Sequence, residues 1–327
     1  MSNKIMKRKN KIKIAIVGLG NISTKHIKAI EKSKNLKLVA TCDKKNKNPN
    51  NIEFNDLSTM LNSNKNIDLV SILSPSGEHF RQTMLCLKFK KHVVVEKPIC
   101  MNLSELQKIM KAEKIYKRKV FTVYQNRLNP LISKVKDKII NKKLGEIILF
   151  NSNLYWSRND KYYLNSKWRG RRKDDGGVVM NQGIHNLDLF QYFFGKVKSV
   201  FVEKIKIKKY LECEDTAIII FKFKSGIIGN FSLSTAVNNE NYSNSIEIFS
   251  IKSNIKLYGR NLNILDFKQK TISYEDEYEL HYKFYNKVCS TIMGKTKNFF
   301  SNKSIFHSME IIRAINKSIK TGKKSFV

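Results

Sequence analysis

Apolar residues in the first third of the chain come in short dense runs, separated by longer stretches where they recur every three or four positions. The runs at 12–17, 36–42, 67–73, 93–95 and 120–124 have strand length and are mostly apolar, with isolated polar positions such as Lys13, Lys37, Asp68 and Thr122 but no sustained alternation. They therefore predict strands buried on both faces. Helical spacing fills 22–32, 78–89 and 103–116 between them, and this strand–helix alternation predicts a doubly wound parallel sheet. Past Gln125 the rhythm changes. Residues 127–141 have helical spacing, after which the segments 147–155, 197–207, 217–223, 227–233, 246–251 and 255–258 alternate, with short turns such as Lys224-Ser225-Gly226. These predict a second, α+β domain whose open, mostly antiparallel sheet is covered on one face. Helices over 279–299 and 305–320 close the chain, the first expected to cover part of the sheet or to pack back on the first domain. The expected division is 1–125 for the first domain and 126–327 for the second.

The 327 residues suffice for two domains with cores of their own. A hydrophobic content of 41% with 10% aromatics lets burial offset the entropy of ordering the chain. The net charge of +35 first suggests a nucleic-acid or anionic-membrane binder. Most of that charge is lysine spread over the whole length among many Asn and Ile, which resembles a codon-usage bias more than a binding patch. No nucleic-acid or membrane partner is expected, and no apolar run approaches the ~18 residues that span a bilayer. Arginine is scarce and clusters at Arg158, Arg169, Arg171 and Arg172; its planar fork suits phosphate and carboxylate. The five cysteines are far apart, with no CxxC pair, and give neither a disulfide framework nor a thiolate metal site. A reducing cytoplasm is the expected compartment. The basic start, 1–11, leads into a short strand, so no signal peptide is expected.

Candidate chemistry gathers at strand ends. The run Val93-Val94-Val95 stops at Glu96-Lys97-Pro98, at the strand end where open α/β sheets bind ligands. Lys97 would lie beside a cofactor crevice, and a Lys-Pro bond is one of the few that adopt cis; the plainer reading is a strand end with a surface ion pair. Gly18-Leu19-Gly20-Asn21-Ile22-Ser23 sits between the first strand and first helix, the context of a dinucleotide-binding turn. Gly18 permits the tight turn, Gly20 admits the pyrophosphate, and Ser23 takes the third glycine position. Asp43 ends the second strand about 20 positions on, where a carboxylate holds the ribose hydroxyls of NAD and repels the 2′-phosphate of NADP. Lys44 and Lys45 would accept that phosphate if Asp43 turned away, and Asp43 also reads as a turn aspartate. Ser74-Pro75 and His79 fall at another strand end, with His79 lining the crevice or capping a helix. Residues 174–188 suggest a loop entering a helix near Gln182, with His185 and Asp188 one turn apart on one face. His185 reads as a general base poised near neutral pH or as a satisfied core histidine. Two ligands make no zinc site, and no metal is expected.

The stretch from Gly18 to Ser23 with His26, Ser74-Pro75 with His79, Glu96-Lys97-Pro98, and Gly183-x-His185-x-x-Asp188 together resemble the glucose-fructose oxidoreductase / inositol dehydrogenase / MocA (Gfo/Idh/MocA) family over nearly the whole chain. The resemblance implies an amino-terminal Rossmann domain and a carboxyl-terminal domain whose open sheet mediates oligomers, so a homodimer or homotetramer is expected. It also implies oxidation of a sugar or cyclitol hydroxyl with NAD or NADP. The family usually has Asp four residues before the histidine, where this chain has Asn181. With Tyr155-Trp156-Ser157-Arg158, Tyr162-Tyr163 and Trp168-Arg169-Gly170, that departure resembles the WlbA/WbpB subgroup. Its members oxidise C3 of UDP-N-acetylglucosaminuronic acid on the way to bacterial surface polysaccharides. Some keep NAD tightly bound and recycle it with 2-oxoglutarate. On this resemblance the catalytic residues are His185 as base, Lys97 as the cation on the reacting oxygen, with those roles exchangeable, and Asn181 orienting the sugar. The cofactor would be held by Gly18, Gly20, Asn21, Ile22, Asp43, Ser74, Pro75, His79, Glu96, Lys97, Gln125, Trp168 and Arg169. The UDP-sugar would meet Tyr155, Arg158, Tyr162, Ser166, Asn181, Gln182 and His185. The rival readings are a dehydrogenase of an unactivated sugar or inositol and a catalytically inactive NAD-binding regulator; retention of Lys97 and His185 argues against the latter.

Overall fold

In the computed structural model, which describes residues 11–44, 54–63, 65–238, 240–266, 272–274, 278–300 and 302–327, the dense apolar runs form one sheet. Its strands are β1 (Ile12–Val17), β2 (Leu36–Cys42), β3 (Leu69–Ile72), β4 (His92–Val95) and β5 (Val120–Thr122), in the order β2-β1-β3-β4-β5 and all parallel. β3 and β5 are buried at every position, so these runs have no polar face to show. A parallel bridge from Cys42 to Phe54 adds a single residue outside β2. The order therefore reverses between β1 and β3, which opens a crevice at their carboxyl ends. The helices are α1 (Ser23–Lys32), α2 (Leu57–Asn62), α3 (Ser76–Lys88) and α4 (Leu103–Tyr116). Lys45, the alternative phosphate partner, and residues 1–10 lie outside the described residues.

The single helix expected over 127–141 is two pieces. A 3-10 turn at Gln125–Leu128 is followed by α5 (Pro130–Ile140). Pro130 suits a first helical turn, where its missing N–H is no loss, and Asn129 caps the start by accepting the Leu131 N–H at 2.8 Å. An eight-stranded sheet then forms from β6 (Ile147–Tyr155), β7 (Val197–Ile205), β8 (Thr216–Phe223), β9 (Ile228–Ser234), β10 (Ser243–Ser250), β11 (Ile255–Tyr258), β12 (Asn263–Asp266) and β13 (Ser325–Phe326). Its order is β12-β11-β10-β6-β9-β8-β7-β13, antiparallel except for the β6–β9 pair.

The remaining helices are α6 (Asp160–Leu164), α7 (Gly177–Asn181), α8 (Ile184–Phe194), α9 (Glu279–Ile292) and α10 (Asn302–Thr321). On β8 the side chains of Ala217, Ile219, Phe221 and Phe223 point inward, while Ile218 and Ile220 are exposed on the other face. Phe150 of β6 packs against Phe190 and Phe194 of α8, so α8 covers the inner face. α9 stops at Ile292 rather than at residue 299, because the chain turns at Gly294 in the left-handed region (φ +73°). It packs on α1 of the first domain, and α10 touches β7, α8, α4 and β5. Among the described residues no helix is long and apolar enough to cross a membrane.

Candidate active site

The turn after β1 is shaped by glycine. A Cβ on Gly18 (φ +93°) would lie 2.7 Å from the backbone of Leu73 and Ser74, so this turn packs directly on the end of β3. A Cβ on Gly20 would meet nothing within 4 Å, and Asn21 beside it is exposed. Ile22 opens α1 without a side-chain cap, which leaves helix N–H groups and a positive dipole end facing this open surface. Asp43 accepts the Leu19 N–H at 2.7 Å, fixing a carboxylate beside the turn at the end of β2. These features fit the pyrophosphate and ribose of a dinucleotide. At the end of β3 the Ser74 hydroxyl bonds Gln82 Oε1 at 2.7 Å and Pro75 precedes α3. His79 is buried, its ring nitrogens 2.7 Å from the Pro98 carbonyl and 2.8 Å from the Ser74 carbonyl. It ties two turns of the crevice floor together, and burial lowers its pKa.

Lys97 stands at the end of β4, with a cis bond to Pro98. Its Nζ donates to the Asn181 carbonyl at 2.8 Å. Burial lowers its pKa, Glu96 and Asp175 pull the other way, and Arg169 and Arg158 add to the lowering. Behind it, Glu96 Oε1 lies 3.1 Å from His26 Nε2, and Oε2 accepts the Lys97 N–H at 3.1 Å. His26 Nδ1 is 2.8 Å from Tyr285 Oη, which is 2.8 Å from Ser71 Oγ. Burial raises the Glu96 carboxyl, but the His26 hydrogen bond and the charges of His26, Lys97 and His281 outweigh it and bring the group down to about 2. His26, Glu96 and His281 also place three potential metal-ligating atoms within 4.8 Å of one another. They come from α1, the turn after β4 and α9, so spacing along the chain gave no sign of them. Both His26 nitrogens and both Glu96 oxygens are already engaged by protein groups.

The loop expected to enter a helix at Gln182 is instead two helices, α7 and α8, bent at Gln182-Gly183. A Cβ on Gly183 would come 2.8 Å from Leu233 and 2.9 Å from the Val179 carbonyl. That close approach sets His185 in the first turn of α8, edge-on to Tyr124 at 6.2 Å. Its Nδ1 is buried with no hydrogen-bond partner among the described residues. Burial first and Lys97 second push its pKa down to about 3, so the ring is neutral at pH 7. Asp188 is held by a fully buried pair with Arg127 (Nε to Oδ2 2.7 Å), which anchors α8 to the 3-10 turn. Gln125 begins that turn, its Oε1 buried without a described partner.

The residues expected to meet the substrate include two arginines stacked on aromatic rings. The Arg169 guanidinium lies 3.7 Å from the Tyr162 ring centre and 5.1 Å from that of Trp168. Arg158 lies 4.9 Å from Trp156 and 5.2 Å from Tyr162, and its Nη1 donates to Asn241 Oδ1 at 3.1 Å. Gln182 Nε2 donates to Tyr162 Oη at 3.1 Å. Tyr155 ends β6, and its hydroxyl donates to Asn153 at 3.4 Å; Ser166 is half-buried in the turn after α6. A cavity of about 440 Å³ beside Arg158 is lined by Ser157, Asn159, Lys208 and Asn238 among others. A larger one, about 850 Å³, runs along α5 and α9 and holds none of the expected site residues. Asp175 was not singled out from the sequence. It is 4% exposed, accepts the Gly170 N–H at 2.8 Å and takes a hydrogen bond from the Asn181 side chain.

A dinucleotide turn at the switch point of a parallel sheet, with a lysine and a neutral histidine across the crevice, defines the class as nicotinamide-dependent oxidoreductases. Residues 12–124 match the oxidoreductase family's NAD-binding Rossmann fold and residues 132–256 the GFO/IDH/MocA C-terminal domain. The chain belongs to the Gfo/Idh/MocA oxidoreductase family, and its cofactor is NAD. Its structure is similar to that of the WlbA dehydrogenase from Bordetella pertussis in complex with NADH and UDP-GlcNAcA. That likeness has TM-score 0.87 and 28% identity, over 97% of this chain and 99% of that one. Among curated proteins it is 25% identical to myo-inositol 2-dehydrogenase of Thermotoga maritima over 258 residues, 75% of this chain and 74% of the relative. It is also 25% identical to glucose-6-phosphate 3-dehydrogenase of Bacillus subtilis over 272 residues, 77% of this chain and 76% of the relative.

Proposed function

We propose that this oxidoreductase removes hydrogen from C3 of a UDP-N-acetylglucosaminuronic acid, in the synthesis of a bacterial surface polysaccharide. The observation that carries this reading is that Arg158 and Arg169, both held against the Tyr162 ring, bring two guanidinium groups close enough to act on Lys97. A substrate with a diphosphate and a carboxylate needs such forks, whereas a neutral cyclitol does not. The likeness to WlbA, solved with UDP-GlcNAcA, supports the same substrate class.

Bound NAD supplies the hydride acceptor. Gly18, Gly20, Asn21, Ile22 and Asp43 would hold its pyrophosphate and ribose, with Ser74, Pro75, Glu96, Gln125 and Trp168 around the nicotinamide end. Neutral His185 takes the proton from the C3 hydroxyl, and Lys97 donates a hydrogen bond to the oxygen as negative charge develops on it. Asn181, Gln182 and Tyr162 orient the sugar. The lowered pKa of Lys97 favours the exchanged assignment, with Lys97 as base. The two differ in sign: activity falls at high pH if Lys97 must carry its proton, and rises if Lys97 must lose it.

The test is to denature the purified protein, identify the released nucleotide, and offer the loaded protein UDP-N-acetylglucosaminuronate, myo-inositol and glucose 6-phosphate. Reduction of NAD by the first alone is expected. No affinity for UDP or UDP-sugars, with reduction by an unactivated polyol, overturns the reading. Recycling of the reduced cofactor with 2-oxoglutarate and a homodimer or homotetramer built on the open face of the eight-stranded sheet belong to the same proposal.

A further inference from the structure

We propose that Asp175 is a positioning residue of the reaction centre, holding Asn181 against Lys97 and lending Lys97 a second negative charge from the substrate side. The inference rests on the reading that Lys97 and His185 flank the reacting carbon.

Asp175 sits where three parts of the site meet. The turn that carries it is closed on one carbonyl: the N–H groups of Asp174, Asp175 and Gly176 all donate to Arg171 O, at 3.2, 2.8 and 3.3 Å. One carboxylate oxygen accepts the Gly170 N–H, next to Arg169, and the other accepts the Asn181 amide. The main-chain carbonyl of Asn181 in turn accepts Lys97 Nζ. One buried side chain thus links the arginine segment, α7 and the lysine. The same carboxylate acts through space on Lys97, raising its proton affinity against the lowering by burial, Arg169 and Arg158.

Geometry alone does not call for an ionised group here. An asparagine would still accept from Gly170 and, with the Asn181 carboxamide turned over, donate to the Asn181 side-chain oxygen, so a purely structural role leaves no reason for a carboxylate, whose burial is costly. What only the carboxylate supplies is charge. It opposes Arg158 and Arg169, which an anionic substrate requires but which otherwise drive the proton off Lys97. Asn181 is neutral in this chain, so Asp175 supplies negative charge on that side of the lysine.

The experiment uses the full-length, NAD-loaded protein as wild type, Asp175→Asn, and Asp175→Asn with Asn181→Asp, which moves the charge to the adjacent side chain. The first readout needs no substrate: acetylation of Lys97 by acetic anhydride across pH, followed by peptide mass spectrometry. Asp175→Asn should label several-fold faster at neutral pH, because losing the carboxylate lowers the Lys97 pKa; the double variant should return toward the wild-type profile. The second readout is turnover with UDP-N-acetylglucosaminuronate. Here kcat should fall about 10- to 100-fold in the single variant, with a smaller change in KM, and recover in the double variant. A wild-type labelling profile in Asp175→Asn, or a double variant that keeps the single variant's profile, overturns the proposal. Wild-type protein that turns over no UDP-uronic acid defeats the functional reading instead, and leaves the labelling result to decide the charge coupling.

Discussion

Glu96 and Asp175 both act on Lys97, with side-chain exposure of 12% for the first and residue exposure of 4% for the second, yet their carboxyl groups shift in opposite directions. Burial raises both. At Glu96 the His26 bond and nearby positive charges outweigh burial; at Asp175 the direct partners are a backbone N–H and a carboxamide, and burial wins. The consequences for folding differ in sign. Glu96 has its folded pKa below the unfolded value, so it contributes stability above about 4.5 that is lost as pH falls toward 2. Asp175 has its folded pKa raised, so its ionised form works against folding at neutral pH. One carboxylate holds the turn in place, and the other is kept at the expense of stability, as expected of a group whose charge is used in the site.

Removing the lysine that both carboxylates face should have the largest effect. Lys97→Ala should lower turnover by about 10³-fold or more while NAD stays bound, as read by absorbance of the reduced nicotinamide in a single turnover. If nucleotide and fold are lost together, Lys97 is structural and the contrast between its neighbours says nothing about chemistry. The next test sets the two carboxylates against each other in urea at pH 7. Glu96→Gln should lose on the order of 3 kcal/mol, from the fall to about 2. Asp175→Asn should stay within about 1 kcal/mol of wild type, because both of its hydrogen bonds can be remade. Equal losses in the two variants would break the comparison.

His185 gives a third point on the same scale. Its folded pKa of about 3 lies below the unfolded 6.5, so the unfolded chain binds a proton first and stability drops as pH falls from 6.5 toward 3. His185→Gln should flatten that slope. Between pH 6.5 and 4.5 Glu96 contributes little change, so the difference between this variant and wild type in that window isolates the histidine.

The parts of this arrangement that could be read from sequence are those carried by neighbours along the chain. The parallel sheet was legible because dense apolar runs alternate with stretches of helical spacing, and Gly18, Asp43 and Lys97 because each marks a strand end. The helix break at Pro130 and the stop at Gly294 were local signals overridden by a long apolar pattern on either side. α2, β12 and β13, with six, four and two residues, are too short for any period to register. Asp175 lay in a stretch already marked as dense, but Asp174-Asp175-Gly176-Gly177 reads first as a turn, and its link to Lys97 passes through a residue 84 positions away from that lysine. The network behind Glu96 left no trace, since its bonds join residues 70, 259 and 214 positions apart.

That network supplies the smallest expected effect. Tyr285 Oη joins Ser71 to His26, and α9 brings it from the far end of the chain to the back of the β4 turn. Tyr285 Oη bridges Ser71 Oγ and His26 Nδ1, and His26 Nε2 faces Glu96, so the hydroxyl can donate in one direction and accept in the other. Tyr285→Phe removes one acceptor and one donor while keeping the ring that packs on Phe284. It should cost about 1–2 kcal/mol in urea and lower kcat only a few-fold, with the Lys97 labelling profile unchanged, because Glu96 keeps its bond to His26. A large shift of that profile would mean that the charge on Glu96 depends on the tyrosine, and that the scaffold side of Lys97 is tuned as finely as the substrate side.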